Sequence, residues 1–399
     1  MLEVILAHRI RLDPNTMQRS TFTRCAGTSR FVWNWGLAEW GRQYEGGGKP
    51  SWQALNAQLN QLKQHVLPWL CELPWKVLTQ ALQDLGVAFN RFFEKKARYP
   101  RFKKKGTCRE SFAIDSRAVR FGGRRVRIPR LGWVRMREPF RFPGRLRSTR
   151  LSKRADHWYL SVQVEIDESE WSYPHRCETQ TACVGVDLGV VDLAVLSTGE
   201  RIKAPRILRS LEGRLRMLNK ELHRRKKGGR NRAKTKLKIQ KLYERMANVR
   251  KDVIHKLTSD LVRRFRFIGI EHLNVRGMVR SRLAKSVLDA APYELRRQLE
   301  YKAPLAGALV IAAGPWEASS KTCHICSCIN RRLGLKKAWT CTGCGTGHDR
   351  DENAAKNIEN MAAAHAATAQ CQGSSGVLRN AKLPYGWEPG SPEPIRSWV

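Results

Sequence analysis

Apolar and polar residues alternate through VILAHRIRL near the start of the chain, the period-two pattern of a half-buried strand, and the DPN that follows supplies turn and helix-cap chemistry. From Thr16 to about Arg98 the apolar positions recur at helical spacing, as in ALNAQLNQLKQHV and VLTQALQDLGVAFNRFF. EGGGKP, Pro68 and Pro74 interrupt that run, so several short helices are predicted rather than one long one. Their aromatics (Trp33, Trp35, Trp40, Trp52, Trp69, Trp75, Phe89, Phe92, Phe93) read mainly as core, with one or two, Trp52 among them, available to stack on bases. Beyond YPRFKKKG the pattern turns to short β-like runs separated by Gly and Pro, VRFGGRRVRIPRLGWVRM and then RLRSTRLSKRADHWYLSVQVEI. These predict a small basic barrel-like unit, and the strand at residues 2–10, with no neighbour close in sequence, is a candidate to complete it, leaving the helices between as an insertion. DESEWSYPHRCETQT reads as a linker.

A third region opens with ACVGVDLGVVDLAVLSTGE, a strand, a tight acidic turn and a second strand. Residues 206–265 follow as a long basic helical stretch, interrupted by RRKKGGRNRAKTK, with one apolar packing face that includes Leu211, Leu218, Leu242, Met246, Leu257 and Leu261 and one phosphate-facing side. FRFIGIEHL is a buried strand ending in an acid, ELRRQLEYKAPLAG is helical and ALVIAA is a further apolar run. The last forty or so residues, rich in Ala, Gly, Ser and Pro, read as a poorly ordered tail.

Charge narrows the partner. The chain has 399 residues, 74 Lys and Arg against 35 Asp and Glu, and a formal net charge of +39, spread along its length. Two to four structural units are expected at this length. A surface so lopsided calls for a polyanion, and nucleic acid is the economical choice, because neutralised phosphates release condensed counterions. A membrane partner is not expected, since no run approaches 18 apolar residues and the start is broken by charge too early for a secretory signal.

Of eleven cysteines, four form two CxxC pairs in KTCHICSCINRRLGLKKAWTCTGCG: Cys323 and Cys326, then Cys341 and Cys344, with fourteen residues between the pairs. Each CxxC turn aims two thiolates at one centre, and two such turns complete the tetrahedral sulfur set that zinc prefers. One structural Zn²⁺ is predicted, closed by four thiolates and so without an open catalytic position. Cys328 is a fifth thiol close by, which leaves a shifted ligand set open.

Three acids stand where hydrolytic metal chemistry needs them. Asp187 lies in VGVDLG, among small and β-branched residues, Glu271 closes FIGIEHL, and Asp351 lies in the acidic first turn of HDRDENAAKNIE. Acids at a helix start, Asp349 and Asp351 here, are ordinarily caps, so the set carries the prediction rather than any single member. Two Mg²⁺ ions need several hard oxygen ligands converging on one point, one of them shared, to stabilise the attacking and leaving oxygens of a phosphodiester. His272, His348 and Asp349 are close in sequence but not required by this logic.

GVDLGVVDLAVLS, IGIEHLNVRGM and SSKTCHICSC…WTCTGCGTGHDRDENAAKNI, together with FVWNWGL, PRFKKKG and IPRLGW, resemble the transposon-encoded TnpB nucleases, relatives of the type V CRISPR (Cas12) effectors, in the family's order and up to about residue 360. The resemblance implies a multidomain α+β protein: a RuvC-like RNase H fold with an inserted zinc ribbon, a helical recognition lobe and a wedge-type β-barrel. Expected boundaries are 1–14 for the first barrel strand, 15–100 for the recognition lobe, 101–178 for the wedge, 179–320 and 348–365 for the nuclease, 321–347 for the ribbon, which would load the target nucleic acid, and 366–399 for the tail. It implies Asp187, Glu271 and Asp351 as catalytic acids, Arg350 as a contact to the scissile strand, and Lys76 and Gln80 as readers of a short duplex motif beside the target. The implied partners are a guide RNA cut from the transposon end and a target double-stranded DNA, bound by a monomer in a prokaryotic, nucleoid-associated cytoplasmic particle. Ala-Pro-Tyr at 291–293 replaces the family's usual Gly-Trp, a departure that touches no catalytic acid.

An RNA-guided DNA endonuclease is therefore the leading expectation, its long basic surfaces holding guide and heteroduplex by backbone geometry while base pairing chooses sequence. The same acids would serve a strand-transfer transposase, because RNase H-like folds support both reactions. A compact type V CRISPR effector would carry the same blocks, and so would a non-cutting RNA-guided repressor.

Overall fold

A computed structural model of the chain describes residues 3–167, 173, 182–271, 273, 275–280, 284–314, 319–334 and 336–371. Most of the linker at 167–181, Cys177, His272 and residues 372–399 of the tail lie outside the described residues. In chain order the strands are β1 (Glu3–Asp13), β2 (Ser111–Ile114), β3 (Arg120–Gly122), β4 (Arg125–Ile128), β5 (Gly132–Met136), β6 (Arg145–Arg154), β7 (His157–Asp167), β8 (Cys183–Asp187), β9 (Asp192–Leu196), β10 (Arg201–Lys203), β11 (Phe267–Ile270), β12 (Leu309–Ala312), β13 (Ala338–Thr340) and β14 (Gly347–Asp349). The helices are α1 (Thr16–Glu45), α2 (Trp52–His65), α3 (Trp75–Phe93), α4 (Ile207–Arg224), α5 (Arg230–Arg264), α6 (Val275–Met278), α7 (Ala284–Ala290), α8 (Pro292–Ala306) and α9 (Arg350–Cys371). They fall into two units, Met1–Ser172 with Leu215–Glu244, and Tyr173–Arg214 with Arg245–Val399.

In the first unit β1 lies between β7 and β5, paired antiparallel with both. Its alternation sends Ile10 and Leu12 into the core and Arg9 and Arg11 to the opposite face, where the Arg9 guanidinium lies 3.9 Å from the Tyr159 ring centroid. Asn15 then closes a capping box with Gln18 and starts α1. Helices α1, α2 and α3 enclose a separate core in which Trp40 stacks on Phe89 at 4.1 Å. Trp33, Trp40 and Phe89 are buried there, whereas Trp69, Trp75 and Phe93 remain exposed.

The seven strands of this unit form one antiparallel sheet in the order β2-β6-β7-β1-β5-β4-β3. The barrel implied by resemblance is therefore not closed among the described residues, although side chains from both edges share one core, Phe112 and Ile114 from β2 and the partly buried Phe121 from β3. The edge strands are only four and three residues long, and the chain between them winds into a 3-10 turn capped by Asp115, which leaves no extended backbone to complete a ladder.

In the second unit the order is β10-β9-β8-β11-β12, the first three strands antiparallel and β8, β11 and β12 parallel. Strand β11, buried at all four positions, reads as a continuous apolar run, FIGI. Helix α9 packs on β8 and β11. The interruption expected across RRKKGGRNRAKTK is shorter than its composition suggested, since α4 runs to Arg224 and α5 starts at Arg230. Arg225 donates to the Asn231 carbonyl and Arg232 to those of Leu222 and Arg225, so the turn carries its own hydrogen bonds. The tail expected from residue 366 likewise begins inside α9, which runs to Cys371 because AAAHAATAQ is a strong helix-forming run. Among the described residues no helix is long and apolar enough to cross a membrane.

Candidate active site

Asp187 is the last residue of β8, and Glu271 directly follows β11. Val186 and Ile270 are register partners in this parallel pair, so the next residue of each strand emerges beside the other at the same end of the sheet. Asp351 arrives on α9. That helix can lie directly on the strands because two glycines in register, Gly185 and Gly269, offer it no side chain: a Cβ at Gly185 would come within 1.9 Å of the Ala355 carbonyl oxygen, and one at Gly269 within 2.8 Å of the Ile358 carbonyl oxygen. Asp187 shares the face of Gly185, two residues or about 6.6 Å further on, while Asp351 precedes Ala355 by four helical residues, about 6 Å. The two acids therefore stand at the same end of the sheet, close enough for their charges to interact.

The electrostatics reflect that proximity. Burial and repulsion from Glu271 and Asp351 push the Asp187 carboxyl up to about 8, with Arg350 pulling it down and Asp349 adding repulsion. Burial also raises Glu271 against the opposing pull of Arg350. Arg350 offsets part of this charge, and Arg201 interacts with Asp349 and Asp351 beside it, but Asp187 and Glu271 still stand above their ordinary values, an arrangement that suits divalent cations.

Asp349 has a different task. Its Oδ1 accepts from the Asp351 and Glu352 amides at 3.0 and 3.1 Å, making it the cap of α9, and Arg201 on β10 reaches it at 2.9 Å. Burial works against ionisation here, but the Arg201 contact and those amides hold the carboxyl below its ordinary value. Sequence reading missed Arg201, whose only signal was a cation on the strand beside VVDLAVLS.

The sulfurs of Cys323, Cys326, Cys341 and Cys344 lie within 4.8 Å of one another, a set that can hold a zinc ion. Contacts of 3.7 Å (Cys323 to Cys344) and 3.5 Å (Cys326 to Cys341) are close to the edge of about 3.8 Å of a tetrahedron with Zn–S near 2.3 Å. Cys328 Sγ is outside this set, 3.9 Å from the Thr342 hydroxyl. Cys323 and Cys341 are buried with Leu333 and Trp339, and the Thr346 hydroxyl and amide favour the thiolate of Cys344 while hydrogen bonding among the sulfurs holds the proton on Cys326. Chelation with a zinc-selective agent should raise hydrogen exchange across residues 321–347 first, and a fully ordered preparation containing no zinc would defeat the assignment.

Lys76 and Gln80 sit on α3 and line a cleft of about 610 Å³ with Asp115, Arg117, Arg145, Arg147 and Arg150. Gln80 donates to Asp84 at 3.0 Å, and Arg150 donates to both oxygens of the same Asp84. Trp52 is partly buried in the helical core, where a Cβ on Gly86 would lie 2.9 Å from its ring.

Family models match three stretches: "Probable transposase" (OrfB of IS605) at 161–282, "Cas12f1-like, TNB domain" at 293–358, and a "Helix-turn-helix domain" of the same OrfB proteins at 1–49. A "Putative RNA-guided DNA endonuclease" of Streptomyces pristinaespiralis is 33% identical, covering 92% of both chains. A second, InsQ of Escherichia coli K12, carries the same description and is 32% identical over 91% of this chain and 93% of its own. Among solved structures, the protein in a Cas12f1–sgRNA–target DNA complex shares the fold with a TM-score of 0.55 at 12% identity, over 90% of this chain and 99% of that one.

Proposed function

This chain belongs to the TnpB family, and on that footing we propose that it is an RNA-guided DNA endonuclease whose phosphodiester chemistry is run by Asp187, Glu271 and Asp351. The observation that carries this is the placement of three acids from β8, β11 and α9 at one end of the sheet, where burial first, and repulsion from Glu271 and Asp351 second, push the Asp187 carboxyl up to about 8. The sheet order, three antiparallel strands continued by two parallel ones with acids at the ends of the central pair, supports a RuvC-like RNase H fold.

Asp187, Glu271 and Asp351 would hold divalent ions, Mg²⁺ by their all-oxygen character, which when bound supply charge stabilisation to both the attacking and the leaving oxygen. The protein's own work is to fix those carboxylates on rigid elements, Asp187 and Glu271 at strand ends and Asp351 in the first turn of a capped helix. Arg350 holds positive charge beside them, where an incoming phosphate would also sit. The four-thiolate ribbon leaves a zinc ion no open position and so takes no part in bond cleavage. Guide RNA and target duplex are the polyanions that a net charge of +39 serves, and Lys76 and Gln80, in their arginine-lined cleft, are assigned to the short duplex motif beside the target.

Sequencing the RNA that accompanies the purified protein should give one species of defined length. The particle should then cut, in Mg²⁺, a duplex matching that RNA and spare a scrambled one. Cutting indifferent to the RNA, or products joined to new DNA, would sink the proposal, the latter in favour of strand transfer.

A further inference from the structure

We infer that Asn353 is a positioning residue through which the zinc ribbon sets Asp351, so that the ribbon governs the ion affinity of the carboxylate site; this rests on the nuclease function proposed above. Asn353 follows Asp351 by two residues in the same turn of α9 and is 1% exposed. A buried amide that is not fully satisfied is costly, and this one uses all four of its hydrogen-bonding positions. Its Nδ2 donates to the carbonyls of Thr322 at 2.7 Å and Ser319 at 3.4 Å. Its Oδ1 accepts from the His324 amide at 3.1 Å and, with the ring proton on Nδ1, from His324 Nδ1 at 3.0 Å. Thr322 and His324 flank Cys323, so the side chain grips the first knuckle on both sides of a zinc ligand. One turn further along, Asn357 Nδ2 donates to the same Ser319 and Thr322 carbonyls at 2.7 and 2.6 Å.

The head of α9 has a second attachment to the same cysteine. Strand β14 pairs with β13 in the ribbon hairpin and runs without a break into Arg350. On it, buried His348 has Nε2 3.1 Å from Cys323 Sγ, and the next residue, Asp349, caps the helix. Asp351 is thus suspended between two connections that converge on Cys323, one through the backbone and one through Asn353. A ribbon that merely rested on the nuclease would need neither the paired asparagines nor a fully saturated buried amide.

Asn353→Asp removes both amide N–H donors and turns a carboxylate toward the two carbonyls, while Asn353→Ser shortens the side chain without adding charge. Both variants should be purified as the ribonucleoprotein and measured for zinc per chain, RNA per chain, Mn²⁺ binding by electron paramagnetic resonance, and cleavage against Mg²⁺ concentration. The Asp187→Ala particle gives the background of ions held by RNA. Zinc and RNA should stay at wild-type levels while Mn²⁺ affinity falls by about tenfold or more, as expected for loss of a group that orients a ligand, and excess Mg²⁺ should restore much of the cleavage. Unchanged Mn²⁺ affinity in both variants overturns the inference, and so does loss of zinc from both, which would make Asn353 a folding residue of the ribbon. If instead Asp187→Ala itself leaves Mn²⁺ binding and cleavage intact, the nuclease function fails, independently of Asn353.

Discussion

Replacing Asp187 by alanine or asparagine should lower target cleavage by more than about 10³-fold, the equivalent of roughly 4 kcal/mol of lost charge stabilisation at the reacting phosphate, with RNA and target binding preserved. The same change should stabilise the metal-free protein. Burial and two neighbouring carboxylates push Asp187 from 3.8 up to about 8, so between those values the folded state binds a proton that the unfolded state does not. Stability of the wild type in chelator must then fall as pH rises from about 4 to 8, because ionising a carboxyl there works against the fold. Asp187→Asn escapes that penalty: its melting temperature in chelator should exceed the wild type's at pH 8, and the two curves should converge near pH 4. Divalent ion should reverse the order, since it favours the ionised form that the empty cluster resists, and its apparent affinity should weaken as pH drops below 8. A variant that cuts at wild-type rate, or shows no stability gain in chelator at pH 8, would mean that these three acids are not the reactive cluster.

Local pattern made a good part of this legible. An acid after a β-branched run marks a strand end, which is why Asp187 and Glu271 could be picked from VGVDLG and FIGIEHL, and paired CxxC spacing carries its geometry with it. What local pattern could not show is how strands pair. That Val186 lies beside Ile270, with eighty-odd residues of chain between them, is settled by tertiary packing, and the same blindness made a closed barrel out of an open seven-stranded sheet. Asn353, Asn357 and Arg201 look like ordinary surface polar residues in the sequence, since their partners, Thr322, Ser319 and Asp349, are carbonyls and carboxylates brought close only by folding. Trp52, an aromatic that composition allowed to stack on bases, packs against Gly86 with part of its surface still accessible, a contact the sequence could not show.

The other large effect is expected at a residue with no chemistry of its own. Gly185 has ordinary backbone dihedrals, so its glycine is explained by space: a Cβ there would lie 1.9 Å from the Ala355 carbonyl oxygen and 2.5 Å from the Glu359 amide nitrogen. Both obstacles are backbone of α9, so no rotamer change relieves them, and the helix as a whole must lift from β8 by an ångström or more. Overpacking of this kind costs about 3 kcal/mol or more, which for a unit of this size lowers the melting temperature by roughly 6–12 °C. Lifting α9 also carries Asp351 away from Asp187 and Glu271, and displacements of about 1 Å at a reacting site cost on the order of 10²-fold in rate. Gly185→Ala should therefore retain its RNA yet cut far more slowly than its residual fold would suggest, and excess Mg²⁺ should not restore it, because the misplacement is of the helix and not of one side chain. Gly213, inside α4 with no atom within 4 Å of where its Cβ would stand, is the matched control: Gly213→Ala should leave cleavage unchanged and raise stability by up to about 1 kcal/mol. If Gly185→Ala melts and cuts like the wild type, α9 does not seat on the strand through that glycine, and the geometry that brings Asp351 to the other two acids is wrong.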